Sequence, residues 1–463
     1  MTTRPAELER STWLVLPDPF PTRVFVDCGI VDKLADQLRR RLLVVLALPR
    51  AEALEWVPRL GDVQWEVGAD LFPERVGVVE RAARRLDLAL DRSVGYYPLS
   101  VRHSLRHGFN RERMRPGHPN IFFDSARTGR LPEAESLDRL VGRWLFSPHR
   151  YTSKTLVACM RDECSGVVVA NVQSLQAVPY LNAARRLGLP VVGYVASWDH
   201  TVGKGIVSPH VDRYVVQNDV MRDDLVRHHA ISAERIVVTG WPQSDVFERS
   251  RPRARYEALL EGLGLDPARR IVLVAGNTPT NAPYEGRFVD RLVAWSASID
   301  AHERPQLLFR PHPRDREWRE RFASALTAED VAVQEPSYTD LNALATLLQH
   351  VDCVVCNAGT ILLDALANDR PAVCVLYDEG APVGECHAAL NVTGRHYEEL
   401  IASSAFVRAT GFDDVAAGVG RSLAEPDELA AERRRVTREV MGDVDGRATE
   451  RVVDAIVETV RST

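Results

Sequence analysis

A chain of 463 residues with 45% apolar and 26% charged residues has the balance of a soluble globular protein and exceeds one ordinary core, so two domains of ~150–250 residues are expected. A formal net charge of −6 removes any global electrostatic case for nucleic acid or a membrane surface. No run reaches the ~18 consecutive apolar residues of a membrane span, the start MTTRPAELERSTW has no apolar signal core, and seven cysteines without regular spacing suit a reducing cytoplasm.

In chain order, 13–17 (WLVLP) and 23–29 (RVFVDCG) read as strand ends, 30–41 as a helix and 42–49 (LLVVLALP) as a buried strand. Residues 73–90 have a 3.6-residue apolar period with proline in the first turn. The stretch 102–115 (RHSLRHGFNRERMR) reads as an arginine-rich loop or exposed helix. Its His103 and His107 are spaced as metal ligands on a helix but lack a third partner. Strands at 166–171, 190–197, 212–218 and 235–240 follow, with helices near 175–187 and 219–229. Continuous Val/Ile runs of this kind suit parallel strands covered on both faces. Residues 249–255 (RSRPRAR) break the pattern and are expected to link two domains. Beyond them, strands at 270–277, 306–313, 331–336, 351–359 and 371–380 alternate with helices near 284–301, 315–327, 338–349 and 360–368. Two more helices, near 427–440 and 445–461, close the chain. The expected organisation is a Rossmann-like domain over 1–248, the linker, a second over 256–440, and a C-terminal helix over 441–463 that packs back on the first domain.

Open parallel sheets bind ligands outside the carboxyl ends of their strands. In the second domain those positions are Gly276-Asn277-Thr278, Arg310 to Arg314, Asn357 to Thr360, and Asp378-Glu379. Gly359 allows a tight turn into a helix whose free N–H groups suit phosphate, with Thr360 as a hydroxyl donor. Asp364, one turn on, is placed to accept from a ribose diol. His312 stands between Pro311 and Pro313, which hold the imidazole in one direction, and Arg310 and Arg314 flank it with positive charge. In the first domain, Trp198, Asp199, His200 and Lys204 crowd a loop after a strand, where Asp199 or His200 could serve as general base. Gly240 and Gln243 follow the next strand, and Asp27 is read as ending an early one, a third candidate base. Cys353 and Cys356 point to opposite faces of a strand and read as buried thiols, not a metal site.

RPHP (310–313), VVCNAGTILLDALANDRPAVCVLYDE (354–379) and DVDGRATERVVDAI (443–456) are similar to segments of CDP-glycerol glycerophosphotransferases and related surface-polysaccharide transferases. SWDHTVGKG (197–205) looks like the middle of surface-carbohydrate GT-B proteins. The resemblance implies a GT-B fold of two Rossmann-like domains facing a cleft, a nucleotide-activated donor (UDP-, CDP-, CMP-, GDP- or dTDP-linked) on the second domain, and a sugar or polyol phosphate passed to an acceptor in glycan, cell-surface or secondary-metabolite biosynthesis. It implies neither a bound metal nor a permanent cofactor, and allows peripheral membrane contact. His312 would contact the donor's phosphate, Asn357 to Thr360 would bind phosphate, and Asp364 would lie near the ribose. Where the glycerophosphotransferases carry Thr-Asp-Tyr-Ser-Ser this chain has CNAGT, which favours a nucleotide sugar. A 2-epimerase of the same fold and a catalytically silent nucleotide binder are the rival expectations.

Overall fold

The computed structural model describes residues 10–68, 154–203, 207–279, 281–382, 387–388, 392 and 395–461. The helical pattern at 73–90, the arginine-rich 102–115 with His103 and His107, and Lys204 lie outside the described residues. The described residues up to Asp245, with those from Asp445 onward, form one compact unit, and the described residues from Val246 to Val444 a second.

The first unit is built on a parallel sheet of β1 (Ser11–Leu16), β2 (Leu42–Leu46), β3 (Gln64–Val67), β4 (Cys164–Val169), β5 (Val191–Tyr194), β6 (Arg213–Val216) and β7 (Ile236–Val238), in the order β3-β2-β1-β4-β5-β6-β7. Trp13 to Leu16, Val44 to Leu46 and Val167 to Val169 are fully buried, as continuous apolar runs between two helical layers must be. The helices are α1 (Pro19–Asp27), α2 (Ile30–Gln37), α3 (Arg50–Trp56), α4 (Lys154–Glu163), α5 (Val178–Leu187), α6 (His200–Gly203), α7 (Asp219–His229) and α8 (Pro242–Glu248). Residues 23–27, expected as strand, belong to α1. Pro19 at its first position sets a helical φ, and Pro21, Val24 and Phe25 bury one helical face. The run RVFVD imitated a strand because β-branched and aromatic residues favour strands, but the burial of Val24, Phe25 and Asp27 with Arg23 and Val26 half-buried follows a helical face.

The second unit opens with α9 (Arg253–Gly262), so the charged stretch at 249–255 is partly helical. Nor is it devoid of buried residues: Arg251 is buried, donating to the Val246 carbonyl and to Asn342 Oδ1, each at 3.0 Å. Then follow β8 (Ile271–Ala275), α10 (Glu285–Ser298), β9 (Gln306–Arg310), α11 (Trp318–Arg321), β10 (Val331–Val333), α12 (Leu341–His350), β11 (Cys353–Asn357), α13 (Thr360–Ala367), β12 (Ala372–Val375), α14 (Glu398–Ala402), β13 (Val407–Ala409), α15 (Phe412–Ala424) and α16 (Ala430–Met441). All the strands are parallel, in the order β10-β9-β8-β11-β12-β13. This is the doubly wound order, with its reversal between β8 and β11. One face of the sheet packs Val272, Val274, Phe309, Val355 and Val373 against Phe288 and Leu292 of α10, Phe322 after α11, and Val415 of α15. The helix expected over 315–327 is α-helical only at 318–321, and β13 with α15 was not anticipated.

The last helix, α17 (Ala448–Arg461), returns to the first unit and buries Val452, Val453 and Ile456. Asp245 caps it: its carboxylate accepts from the N–H groups of Ala448 (3.1 Å) and Thr449 (2.6 Å). Gly240 makes the close approach feasible. Its φ is +87°, and a Cβ there would sit 3.0 Å from Arg451 Nη2 and 3.1 Å from Ala448 Cβ. Among the described residues, no helix is long and apolar enough to cross a membrane.

Candidate functional site

In the second unit β9, β8, β11 and β12 are neighbours and all parallel, so their carboxyl ends share one edge, with the reversal of strand order at its centre. The sequence strip maps onto that edge. Gly276 donates its N–H to the Arg310 carbonyl (2.9 Å), locking the ends of β8 and β9 together. Its Cα lies so close to the second strand that an added Cβ would meet Pro311 Cα at 3.2 Å and Phe322 Cζ at 3.1 Å. Asn277 turns its Oδ1 back onto the Thr278 N–H (2.8 Å).

His312 is half-buried just beyond β9. The Arg314 N–H donates to its Nδ1 at 3.0 Å. With Nδ1 accepting, the neutral ring carries its proton on Nε2 and is a hydrogen-bond donor there. Arg310, expected to grip phosphate, is paired instead: its guanidinium donates to Asp340 Oδ2 at 2.6 Å, and both side chains are largely buried. The pair offsets its charge locally, and Arg314, exposed and held by Tyr338 Oη (2.8 Å), is a cation of this turn beside His312.

At β11, the side chain of Asn357 donates to the Val375 carbonyl (3.3 Å) and ties β11 to β12. Gly359 is extended (φ −171°), nothing crowds its side-chain position closer than 4.0 Å, and α13 begins at Thr360 without a side-chain cap. Its first N–H groups therefore point out at the shared edge. Asp364 is 3% exposed and lies inside the unit beneath Thr360, not on the ligand-facing surface expected for a ribose contact. Asp378 accepts from the N–H groups of His387 and of Ala388 (3.2 Å), and Glu379 from Arg291 (2.7 Å) and Tyr377 Oη (3.1 Å). Both carboxylates thus organise the loop after β12.

Sequence reasoning missed the ion cluster under this edge. Glu285, Arg321 and Asp315 are buried together, with Arg321 2.9 Å from Glu285 and also paired with Asp315. Two carboxylates share one guanidinium, so the cluster carries an excess negative charge when both are ionised. Burial, reinforced by Asp315, pushes Glu285 up to about 8 although Arg321 and the Asn277 N–H pull it down. The folded chain therefore holds a proton that the unfolded chain releases near 4.5, and stability falls as pH rises from there through about 8. The expected result is a melting temperature that declines between pH 5 and 8 in the wild type, and a shallower decline in Glu285→Gln. Parallel declines in the two proteins would refute it.

In the first unit the structure separates the sequence candidates. Asp27 ends α1 rather than a strand. That helix starts at the carboxyl end of β1 and runs away for nine residues, about 13 Å, so Asp27 lies toward the opposite edge of the sheet. Its carboxylate is fully buried in an ion pair with Arg59. It is not placed to act as a base. Trp198 is buried against Trp241, ring centroids 6.3 Å apart. Asp199 and His200 are half-buried at the start of α6, where the His200 carbonyl accepts from Gln173 (2.9 Å). Gly240 packs on α17 and Gln243 is buried, so neither presents an exposed acceptor surface. The strand-order reversal between β1 and β4 holds a pair that was not anticipated: Asn171 Nδ2 donates to Asp18 Oδ2 at 2.8 Å. The available signal was Pro-Asp-Pro (17–19) directly after a buried strand. Cys353 and Cys356 are both buried, and burial pushes the Cys353 thiol up to about 12. Among the described residues no cluster of His, Cys, Asp or Glu could hold a metal ion.

Residues 203–458 match the model of the family described as CDP-Glycerol:Poly(glycerophosphate) glycerophosphotransferase. No curated protein matches the chain. Among solved structures, the chain is similar to UDP-GlcNAc 2-epimerase from Neisseria meningitidis bound to UDP-GlcNAc, at 10% identity over 96% of this chain and 99% of that one, TM-score 0.54. It is likewise similar to the S. aureus MnaA–UDP co-structure, at 12% identity over 98% of each chain, TM-score 0.56. These likenesses establish the GT-B-like fold of two Rossmann-like domains.

Proposed function

Since the chain belongs to the CDP-glycerol:poly(glycerophosphate) glycerophosphotransferase family, we propose that it is a GT-B transferase that moves a sugar or a polyol phosphate from a nucleotide-activated donor to a glycan or small-molecule acceptor. The observation that carries the donor site is the shared edge at the reversal of strand order, where His312 and the uncapped start of α13 stand on either side of β8. They are two strand spacings apart, about 10 Å. A diphosphate-linked donor can bridge that span; a lone phosphate cannot.

The work of each group follows from its chemistry. Cleavage at the donor leaves negative charge on the departing phosphate. His312 Nε2–H, the first N–H groups of α13, the Thr360 hydroxyl and Arg314 offset it with fixed donors that need no rearrangement. Gly276 to Thr278 line the same edge. Asp378 and Glu379 support it by holding the loop after β12. In the first unit, Asp199 or His200 deprotonates the acceptor hydroxyl, with Lys204 on the acceptor side and Trp198 buried behind the loop against Trp241. We place the reaction in the cytoplasm, a location that suits the buried free thiols.

The test is a thermal-shift panel with CMP, CDP, UDP, GDP and dTDP on wild type and His312→Ala. A ligand that binds only the folded protein adds about 2.7 kcal/mol at a hundred times its Kd. For a domain of this size that raises the melting temperature by about 5–10 °C. One nucleotide should stabilise the wild type and do so much less in the variant. No shift from any of the five would remove the donor reading. Turnover of a nucleotide sugar without any acceptor would establish the epimerase reaction, and binding without turnover a silent binder.

A further inference from the structure

Arg321 reaches two loops at once. On the loop after β8, its guanidinium donates to the Asn277 carbonyl (3.3 Å), the Ala282 carbonyl (2.7 Å) and Glu285 Oε2 (2.9 Å). On the loop after β9 it pairs with Asp315. Asp315 closes the turn that presents the histidine: its N–H donates to the His312 carbonyl (2.8 Å), and its Oδ1 accepts from the Glu317 N–H (3.0 Å). Glu285 Oε1 holds the Asn277 N–H (2.8 Å) while Arg321 holds the Asn277 carbonyl, so one residue is gripped from both sides. The Asp315 and Glu285 side chains are 0% and 7% exposed and that of Arg321 10%, which keeps water from competing for these bonds.

We propose that Arg321 is the positioning residue of the donor edge, which sets the Asn277–Thr278 turn and His312 in one fixed relation so that both address the same anionic group. This rests on the donor site proposed above. A guanidinium suits the task because its planar fork carries five donors in fixed directions and is charged at every working pH. A lysine would supply one nitrogen and could satisfy one loop or the other.

The groups that face Glu285 in this cluster are Arg321, Asp315 and the Asn277 N–H.

The experiment uses the full chain with Arg321→Met and Arg321→Lys, each checked for a cooperative melt. Amide hydrogen exchange without ligand is read first. In Arg321→Met, residues 276–282 and 312–316 should exchange at least tenfold faster together, with the strands of the first unit unchanged. Arg321→Lys should restore protection in one loop only. If Arg321→Met does not fold, that pattern in Arg321→Lys decides the matter. Faster exchange in neither loop, or in one loop alone in Arg321→Met, would overturn the proposal.

Calorimetric titration with UDP and CDP is read second, on wild type, Arg321→Met, His312→Ala and the double variant. Arg321→Met should weaken binding at least tenfold. Once His312 is gone it should weaken it by a clearly smaller factor, since the two act through one geometry. A structural lesion would weaken binding by the same factor in both backgrounds and would count against positioning. If the wild type binds neither nucleotide, the donor reading fails, and hydrogen exchange still decides the role of Arg321.

Discussion

Replacing His312 with alanine is expected to lower turnover by about 100- to 10,000-fold and to leave the protein folded. The loss follows from removing a donor aimed at developing charge. The neutral ring's tautomer is fixed by its neighbour, since the Arg314 N–H on Nδ1 leaves the proton on Nε2 at the end of β9. The small effect on folding follows from what stays in place. Pro311 and Pro313 keep the turn, the Asp315 N–H keeps its bond to the residue-312 carbonyl, and the ring is only half-buried. The Arg314 N–H that loses its acceptor lies at the surface, where water replaces it, so stability should change by about 1 kcal/mol. Glutamine, whose amide N–H₂ reaches toward the former Nε2 position, should recover part of the rate. Steady-state turnover with the nucleotide donor selected by thermal shift, alongside a melt of each variant, reads both quantities. A His312→Ala enzyme with wild-type turnover would remove the histidine from the mechanism.

Phe309→Ala should cost about 3–5 kcal/mol in the second unit. The ring is 0% exposed and meets Phe322 edge-on, centroids 5.8 Å apart, in the cluster with Val272, Val274, Val355 and Leu292. That loss is a large share of the 5–15 kcal/mol that holds an ordinary domain together. Phe309 also lies on the strand that carries His312, so nucleotide binding should weaken along with stability. Amide exchange read in urea, on β8 and β11 for the second unit and on β1 and β4 for the first, separates the two units. A shift below about 1 kcal/mol in the second unit's transition would mean that the site collapses around the cavity.

The alternation of apolar runs with helical periods determined, without any structure, that the chain makes parallel α/β sheets. Val/Ile/Leu runs four to six residues long have no amphipathic option and must be covered on both faces. The same pattern located the strip of small, polar and charged residues after β8, β9, β11 and β12, because in a parallel sheet every strand end falls on one edge. The proline-flanked His312 was legible because prolines fix the backbone locally, whereas Gly359, expected to make a tight turn, is extended at φ −171°, a conformation that does not require glycine.

Only the tertiary structure decided the rest. RVFVD has the β-branched and aromatic content of a strand and the buried face of a helix, and Pro19 with the packing of α1 on the first sheet settled it. That alone put Asp27 at the far end of a nine-residue helix, about 13 Å from its start at the carboxyl edge of the sheet. Arg310 with Asp340, and Glu285 with Arg321 and Asp315, are 30 and 36 residues apart at their widest. Which charge meets which depends on how loops from neighbouring strands fold back over the edge. No local period encodes that, so the arginine that looked like a phosphate grip proved to be paired, and the one that holds the edge together was overlooked. Gly240 is the same case in the first unit: its small size answers to α17, a helix some 200 residues later that Asp245 caps.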